Sequence, residues 1–108
     1  ILMSATDWSQ DEIVIARQAF ERGNQKSIEV LIITLQQQVN TLSSAESIWE
    51  FHDFLSTERF DHEGRSEFDE AKILFVLADM VKRNLISTED LQGLSDKKIS
   101  KIKAMSMF

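Results

Sequence analysis

Apolar positions along this chain recur three and four residues apart, and nowhere do they alternate with period two for long enough to make a strand. Start and stop signals divide that pattern into helices. Ser9-Gln10-Asp11-Glu12 is a capping box, in which the Ser9 hydroxyl accepts a first-turn amide while Glu12 reaches back. It opens a first helix that should run to about residue 22, with Gly23-Asn24 as a break or kink and a second helix over 25–42. Ser43-Ser44-Ala45-Glu46 is read as a second box, opening a helix that continues to His62 and stops at Gly64. A fourth helix is predicted over 67–83, with Asn84 suited to the left-handed position beyond its end. Ser87-Thr88-Glu89-Asp90 opens a short helix closed by Gly93, and Ser95-Asp96 opens the last, which reaches about Met105. The fold class is therefore all-α, and no internal repeat or low-complexity segment interrupts it.

The stretch 28–42 carries the first architectural clue. Ile28, Ile32, Leu35, Val39 and Leu42 follow one another at spacings of four, three, four and three residues, and Leu31 widens the stripe. Val30 and Ile33 fall on the other side. A helix apolar on two sides must be covered on two sides. One cover can come from the next helix folding back, and the other from a second copy of the chain. A single helix at the centre of a monomeric bundle is the competing arrangement. The homodimer is favoured, because so short a seam gains from extra layers.

Two faces do not fit a core. On the third helix Ile48, Phe51, Phe54 and Leu55 form the inward face, whereas Trp49, His52, Asp53, Ser56, Arg59 and Phe60 lie on the other side. Trp and Arg are the side chains that dominate interface hot spots. The competing reading packs Trp49 beneath the first helix. On the fourth helix Leu74, Leu77, Ala78 and Val81 cluster with Ile73 at their border, while Phe75 stands among Lys72, Asp79 and Lys82. Phe75 is either covered by the last helix or a contact residue. The last helix turns Ile99, Ile102 and Met105 inward and Lys97 and Lys101 outward.

Composition narrows the function. The 108 residues suit one domain, with 43% apolar and 28% charged positions in the globular range. Proline is absent and only Gly23, Gly64 and Gly93 supply glycine turns, which leaves little chain for loops. Without cysteine, disulfides, thiolate catalysis and zinc ribbons are excluded, and a reducing, cytoplasmic setting is expected. Apolar runs such as 30–33 and 73–78 are far short of the ~18 residues of a membrane span. Met3 is the expected start, with Ile1 and Leu2 before it outside the expected fold. The net charge of −6 is polarised, since residues 96–108 set four lysines against Asp96 and leave the rest strongly acidic. An acidic body with so few aromatic or arginine platforms among its lysines is a poor nucleic-acid binder, and a basic end suits an acidic patch on a protein.

Catalytic constellations are missing. His52 and Asp53 are adjacent and should diverge around the helix, too far to act as a base and its orienting carboxylate. Asp53 and Arg59 are six residues apart, so each should find a partner elsewhere. Glu58 and His62 could offer two metal ligands, but nothing nearby completes a site. No phosphate-binding glycine loop or calcium loop is present. The residues by themselves describe a helical interaction protein without metal, cofactor or bond-breaking chemistry.

Four segments then carry a resemblance. Trp8-Ser9-Gln10, Ile48-Trp49-Glu50-Phe51-His52-Asp53-Phe54-Leu55-Ser56 with Arg59, Phe75-Val76, and Ser100-Lys101-Ile102-Lys103-Ala104 resemble, in order and spacing, the cyanobacterial fluorescence recovery protein family. The resemblance runs from Trp8 to Met105, with Glu58 standing where a basic residue is expected beside Arg59. It implies an all-α homodimer with an extended helical arm, residues 10–64, and a small helical head, residues 65–108. It implies binding to the light-activated orange carotenoid protein, mainly through that protein's C-terminal domain, which speeds return to the inactive orange form and ends quenching at the phycobilisome. By resemblance, dimerisation and activity fall to Trp49, His52, Asp53 and Arg59, and head contacts to Phe75 and Lys101. The alternative is a structural or adaptor homodimer without kinetic effect on its partner. No direct membrane insertion is expected; peripheral association with the cytoplasmic side of the thylakoid stays open.

Overall fold

The computed structural model describes residues 8–108, so the expected start at Met3 lies outside the described residues. Four α-helices follow one another: α1 (Gln10–Val39), α2 (Ala45–Glu63), α3 (Ile73–Lys82) and α4 (Asp96–Ser106), with a 3₁₀ turn, Thr88–Leu91, before α4. The molecule measures 52 × 23 × 22 Å and has a radius of gyration of 16.5 Å. A compact chain of this length would have about 13 Å, so one part extends beyond the rest.

Helix α1 is a single 30-residue helix, which corrects the predicted break at Gly23-Asn24. Neither residue leaves helical geometry. A Cβ on Gly23 would collide with the Met80 sulfur and press on Ile86, so this glycine serves close packing and not a turn. Asn24 spends its side-chain amide on the Arg65 carbonyl, 3.0 Å away. The Ser9–Glu12 capping box is present in both directions, each bond 3.1 Å. The second box sits one residue later than expected: Ser44 is the N-cap and Ser47, not Glu46, returns the bond. Helix α3 begins six residues after the predicted 67. Asp69 accepts the Ala71 amide in a local turn, and Phe68 leaves the helical path to stack edge-on against Phe20 under the Arg17 guanidinium. Asn84 has φ 60°, as its place beyond α3 requires, and Gly93 has φ 104°.

The core joins the N-terminal half of α1 to the C-terminal third of the chain. Ala16, Ala19 and Phe20 meet Leu77, Met80, Leu91 and Ile102, all buried. The two alanines let α3 and the 3₁₀ turn approach α1 closely. Helix α2 contributes no buried residue. It folds back along the second half of α1, tied near its C-terminus by the Ser27 hydroxyl and His62 Nε2 at 3.3 Å, while Phe51 and Phe54 lie half-buried along α1.

Candidate functional site

The covered face of α1's second half is the row Ser27, Leu31, Thr34 and Gln38, each at least half-buried, with Leu35 at its edge. The seam read from the sequence lies beside this row. Ile28, Ile32, Val39 and Leu42 are exposed and Leu35 is half-buried. A central position in a monomeric bundle is thereby excluded for this stripe. Because α2 runs antiparallel to α1, its Ile48 and Leu55 fall on the same flank, and both are exposed. This corrects their assignment to the inward face, which belongs to Phe51 and Phe54. The two helices together present one apolar flank that none of the described residues covers. Val30 and Ile33, on other sides of α1, are also exposed.

The outer face of α2 carries the chemistry-bearing side chains. Trp49 is 64% exposed, so it does not pack beneath α1, and Phe60 is 77% exposed two turns beyond Asp53. His52 and Asp53 do reach one another, with Nδ1 and Oδ1 3.3 Å apart, which corrects the expected divergence. Both side chains are largely in solvent, where neighbouring rotamers can swing together; such a contact orients little. Arg59 pairs with Glu63, 2.8 Å away and one turn on, and not with Asp53. His62 lies 3.7 Å from Glu58 and beside Ser27, holding α2 to α1. Among the described residues no three His, Cys, Asp or Glu side chains gather as metal ligands, and no helix is long and apolar enough to cross a membrane.

On the head, Phe75 is 56% exposed and α4 leaves it uncovered. Lys101 points outward on α4, as does Lys97. Lys98 does not belong to that solvated basic face. It is buried, its Nζ 3.1 Å from Glu12 Oε1 and 5.1 Å from the Trp8 ring. Burial pushes the Glu12 carboxyl up, but the Ser9 and Ser95 amides and the Lys98 ammonium outweigh it and hold the pKa below the ordinary glutamate value. The Ser87 amide, aided by Arg22 against the effect of burial, likewise lowers Asp90. The capping half of Glu12 was legible in the sequence. Its pairing with a lysine 86 positions away was not, because no local pattern encodes it.

Fold and exposed residues define an all-α protein whose candidate functional groups lie on open helix faces, with an acidic body and a basic final helix. The family model of the photoprotection regulator fluorescence recovery protein matches residues 8–106, and the chain belongs to that family. The fluorescence recovery protein of Synechocystis sp. is 34% identical over 99 residues, which are 92% of this chain and 91% of that protein. Its solved structure superposes with a TM-score of 0.82, covering 94% of this chain and 99% of the other. The solved fluorescence recovery protein of Fremyella diplosiphon, 30% identical, gives a TM-score of 0.83 with the same coverage. The family is one of photoprotection regulators, and this chain shares its all-helical fold.

Proposed function

We propose that this chain binds the light-activated, red form of the orange carotenoid protein, mainly its C-terminal domain, and accelerates its return to the inactive orange form. Quenching at the phycobilisome then ends. The observation that carries this reading is the family match across residues 8–106, joined to the exposure of the residues that the motif singles out. In this reading the chain works in the cytoplasm as a homodimer. Residues 10–64 form the arm and 65–108 the head, with the first half of α1 rooting the arm in the head's core. Ile28, Ile32, Leu35, Val39 and Leu42 make the seam against the second copy. Trp49, His52, Asp53 and Arg59 serve the dimer and its activity, and Phe75 and Lys101 meet the partner.

Such a protein needs no bond chemistry. It speeds a conformational change by binding the transition state for domain reclosure more tightly than the open state. About 1.4 kcal/mol of that difference gives a tenfold rate.

The test is the dark relaxation of photoactivated orange carotenoid protein, followed by its absorbance. Sub-stoichiometric wild-type chain should speed it. Phe75→Ala, folded and dimeric, should lose about 2 kcal/mol of binding, roughly 30-fold in affinity. Lys101→Ala should lose less, and its deficit should shrink as salt screens the rim. A wild-type chain that leaves the relaxation unchanged at equimolar concentration rejects the reading in favour of the structural dimer.

A further inference from the structure

One carboxylate holds two helix starts together. Glu12 Oε1 accepts the Ser9 amide at 3.1 Å, closing the cap of α1, and also accepts Lys98 Nζ at 3.1 Å. Its Oε2 accepts the Ser95 amide at 2.9 Å, at the N-cap of α4. Ser95 in turn caps α4 by accepting the Lys98 amide through its hydroxyl at 3.3 Å. Trp8 roofs the Lys98 ammonium. Glu12, Lys98 and Trp8 are all buried.

Beyond the end of α4, Lys82 Nζ donates to the Phe108 carbonyl at 2.6 Å, and the packing along the helix itself is apolar. Its 11 residues are too few for a helix to persist alone, and Ile102, Ile99 and Met105 hold it to the core by apolar contact. The apolar stripe sets which side of α4 faces the core, but non-directional burial defines the rotation only loosely. Hydrogen bonds to a buried carboxylate do fix it, because leaving any of these groups unpaired is costly. Lys101 follows Lys98 by one turn, on the adjoining row of the helix surface. Where Lys98 is anchored, Lys101 is aimed.

We propose that Glu12 is a positioning residue for partner recognition, setting the rotation of α4 on α1 so that Lys101 stands in fixed relation to Phe75. The proposal rests on the reading that Phe75 and Lys101 meet the orange carotenoid protein. Neither Glu12 nor Lys98 touches that partner; they act through α4.

The experiment measures dark relaxation against the concentration of added full-length dimer, giving a half-saturating concentration and a maximal acceleration. Glu12→Gln keeps the shape but sets an amide donor against a donor. Where circular dichroism and sedimentation show it folded and dimeric, its half-saturating concentration should rise about tenfold if the competent setting of α4 is then populated about one-tenth of the time, with the maximal acceleration kept. Lys98→Met should do the same, Lys98→Arg should stay near wild type, and Glu12→Gln with Lys98→Met should be no worse than either alone. Should Glu12→Gln not fold, the Lys98→Met and Lys98→Arg pair decides. A folded, dimeric Glu12→Gln or Lys98→Met with wild-type half-saturation overturns the positioning role, since a merely structural one would lower the melting midpoint alone. A wild-type chain without any acceleration overturns the functional reading and the proposal with it, and so is told apart.

Discussion

The two halves of α1 sit among the same kinds of side chain treated in opposite ways. Around the first half of α1, Leu77, Met80, Leu91 and Ile102 are fully buried, and the Glu12–Lys98 ion pair is sealed beneath Trp8. In the arm, α2 buries nothing, while Ile28, Ile32, Val39 and Leu55 stay open on one flank. Aliphatic burial is worth about 1.5–3 kcal/mol per side chain, so the first half of α1 and the C-terminal third can hold each other together. The arm leaves the equivalent energy unspent within the chain. In the proposed dimer this flank is what a second copy would cover, and the difference teaches that one long helix buries its apolar neighbours along its first half and leaves them open along its second.

Breaking each region should have different consequences. Leu77→Ala cuts the head core and should cost about 2–5 kcal/mol, seen as an earlier midpoint of the whole urea transition. Ile32→Glu in the arm should spare the folded head. It should instead yield monomers in sedimentation at micromolar concentration and abolish any dependence of the melting midpoint on protein concentration. A wild-type chain that sediments as a monomer there would end the seam assignment.

A second, smaller break is expected at Gly93. Its φ of 104° is one that side chains rarely adopt, and a Cβ there would strike Ile15 on α1. Gly93→Ala should therefore lower stability by about 1–3 kcal/mol, read from the same urea transition. Protection of α4 amides from hydrogen exchange should fall with it.

The two caps sharpen the comparison, since their chemistry is the same and their setting is not. Ser9→Ala removes the acceptor of the Glu12 amide and should cost about 1 kcal/mol of global stability. Ser44→Ala removes an equal bond to the Ser47 amide. Because α2 adds no buried side chain, this loss should show as faster exchange in the first turn of α2, with little change in the global midpoint.

The mildest probe is acid. Glu12 has a folded-state pKa below its unfolded value, so its contribution is complete above that unfolded value and disappears as pH falls through the folded one. As pH falls through the acid range below the unfolded glutamate value, the wild type should lose stability that Glu12→Gln does not have to lose. Urea midpoints across that range should converge at the acid end. Parallel curves would remove the carboxylate from any part in acid lability.

Much of the secondary structure was legible because its signals are local. Ser9 with Glu12, Asn84 beyond α3, Ser87 with Asp90 and Ser95 before α4 each act within four residues, the range over which a helix end is satisfied. The exposed set was also legible: Trp49, Arg59, Phe60, Phe75 and Lys101 fall off the apolar stripe by helical period alone, and all are exposed. Where local reading failed, a distant group had overruled it. Gly23 reads as a breaker until Met80 and Ile86 are seen to need the space, and 67–72 reads as helix until Phe68 turns to Phe20.

By itself, then, the sequence determined most of the helical segments, the caps at Ser9, Ser87 and Ser95, most of the polar and apolar rows and the family motif, since each depends on residues within a turn or two of one another. The tertiary structure decided which row meets which. It placed α2 over Leu31 and Thr34 and left Ile28 and Ile32 open, and it kept α1 unbroken through Gly23. It also took Lys98 from an evident basic patch and buried it against Glu12. Helical period gives the angle of every side chain about its own axis but nothing about the angle between axes. That second angle is set by packing volume and by hydrogen bonds between distant residues, which only the folded chain brings together.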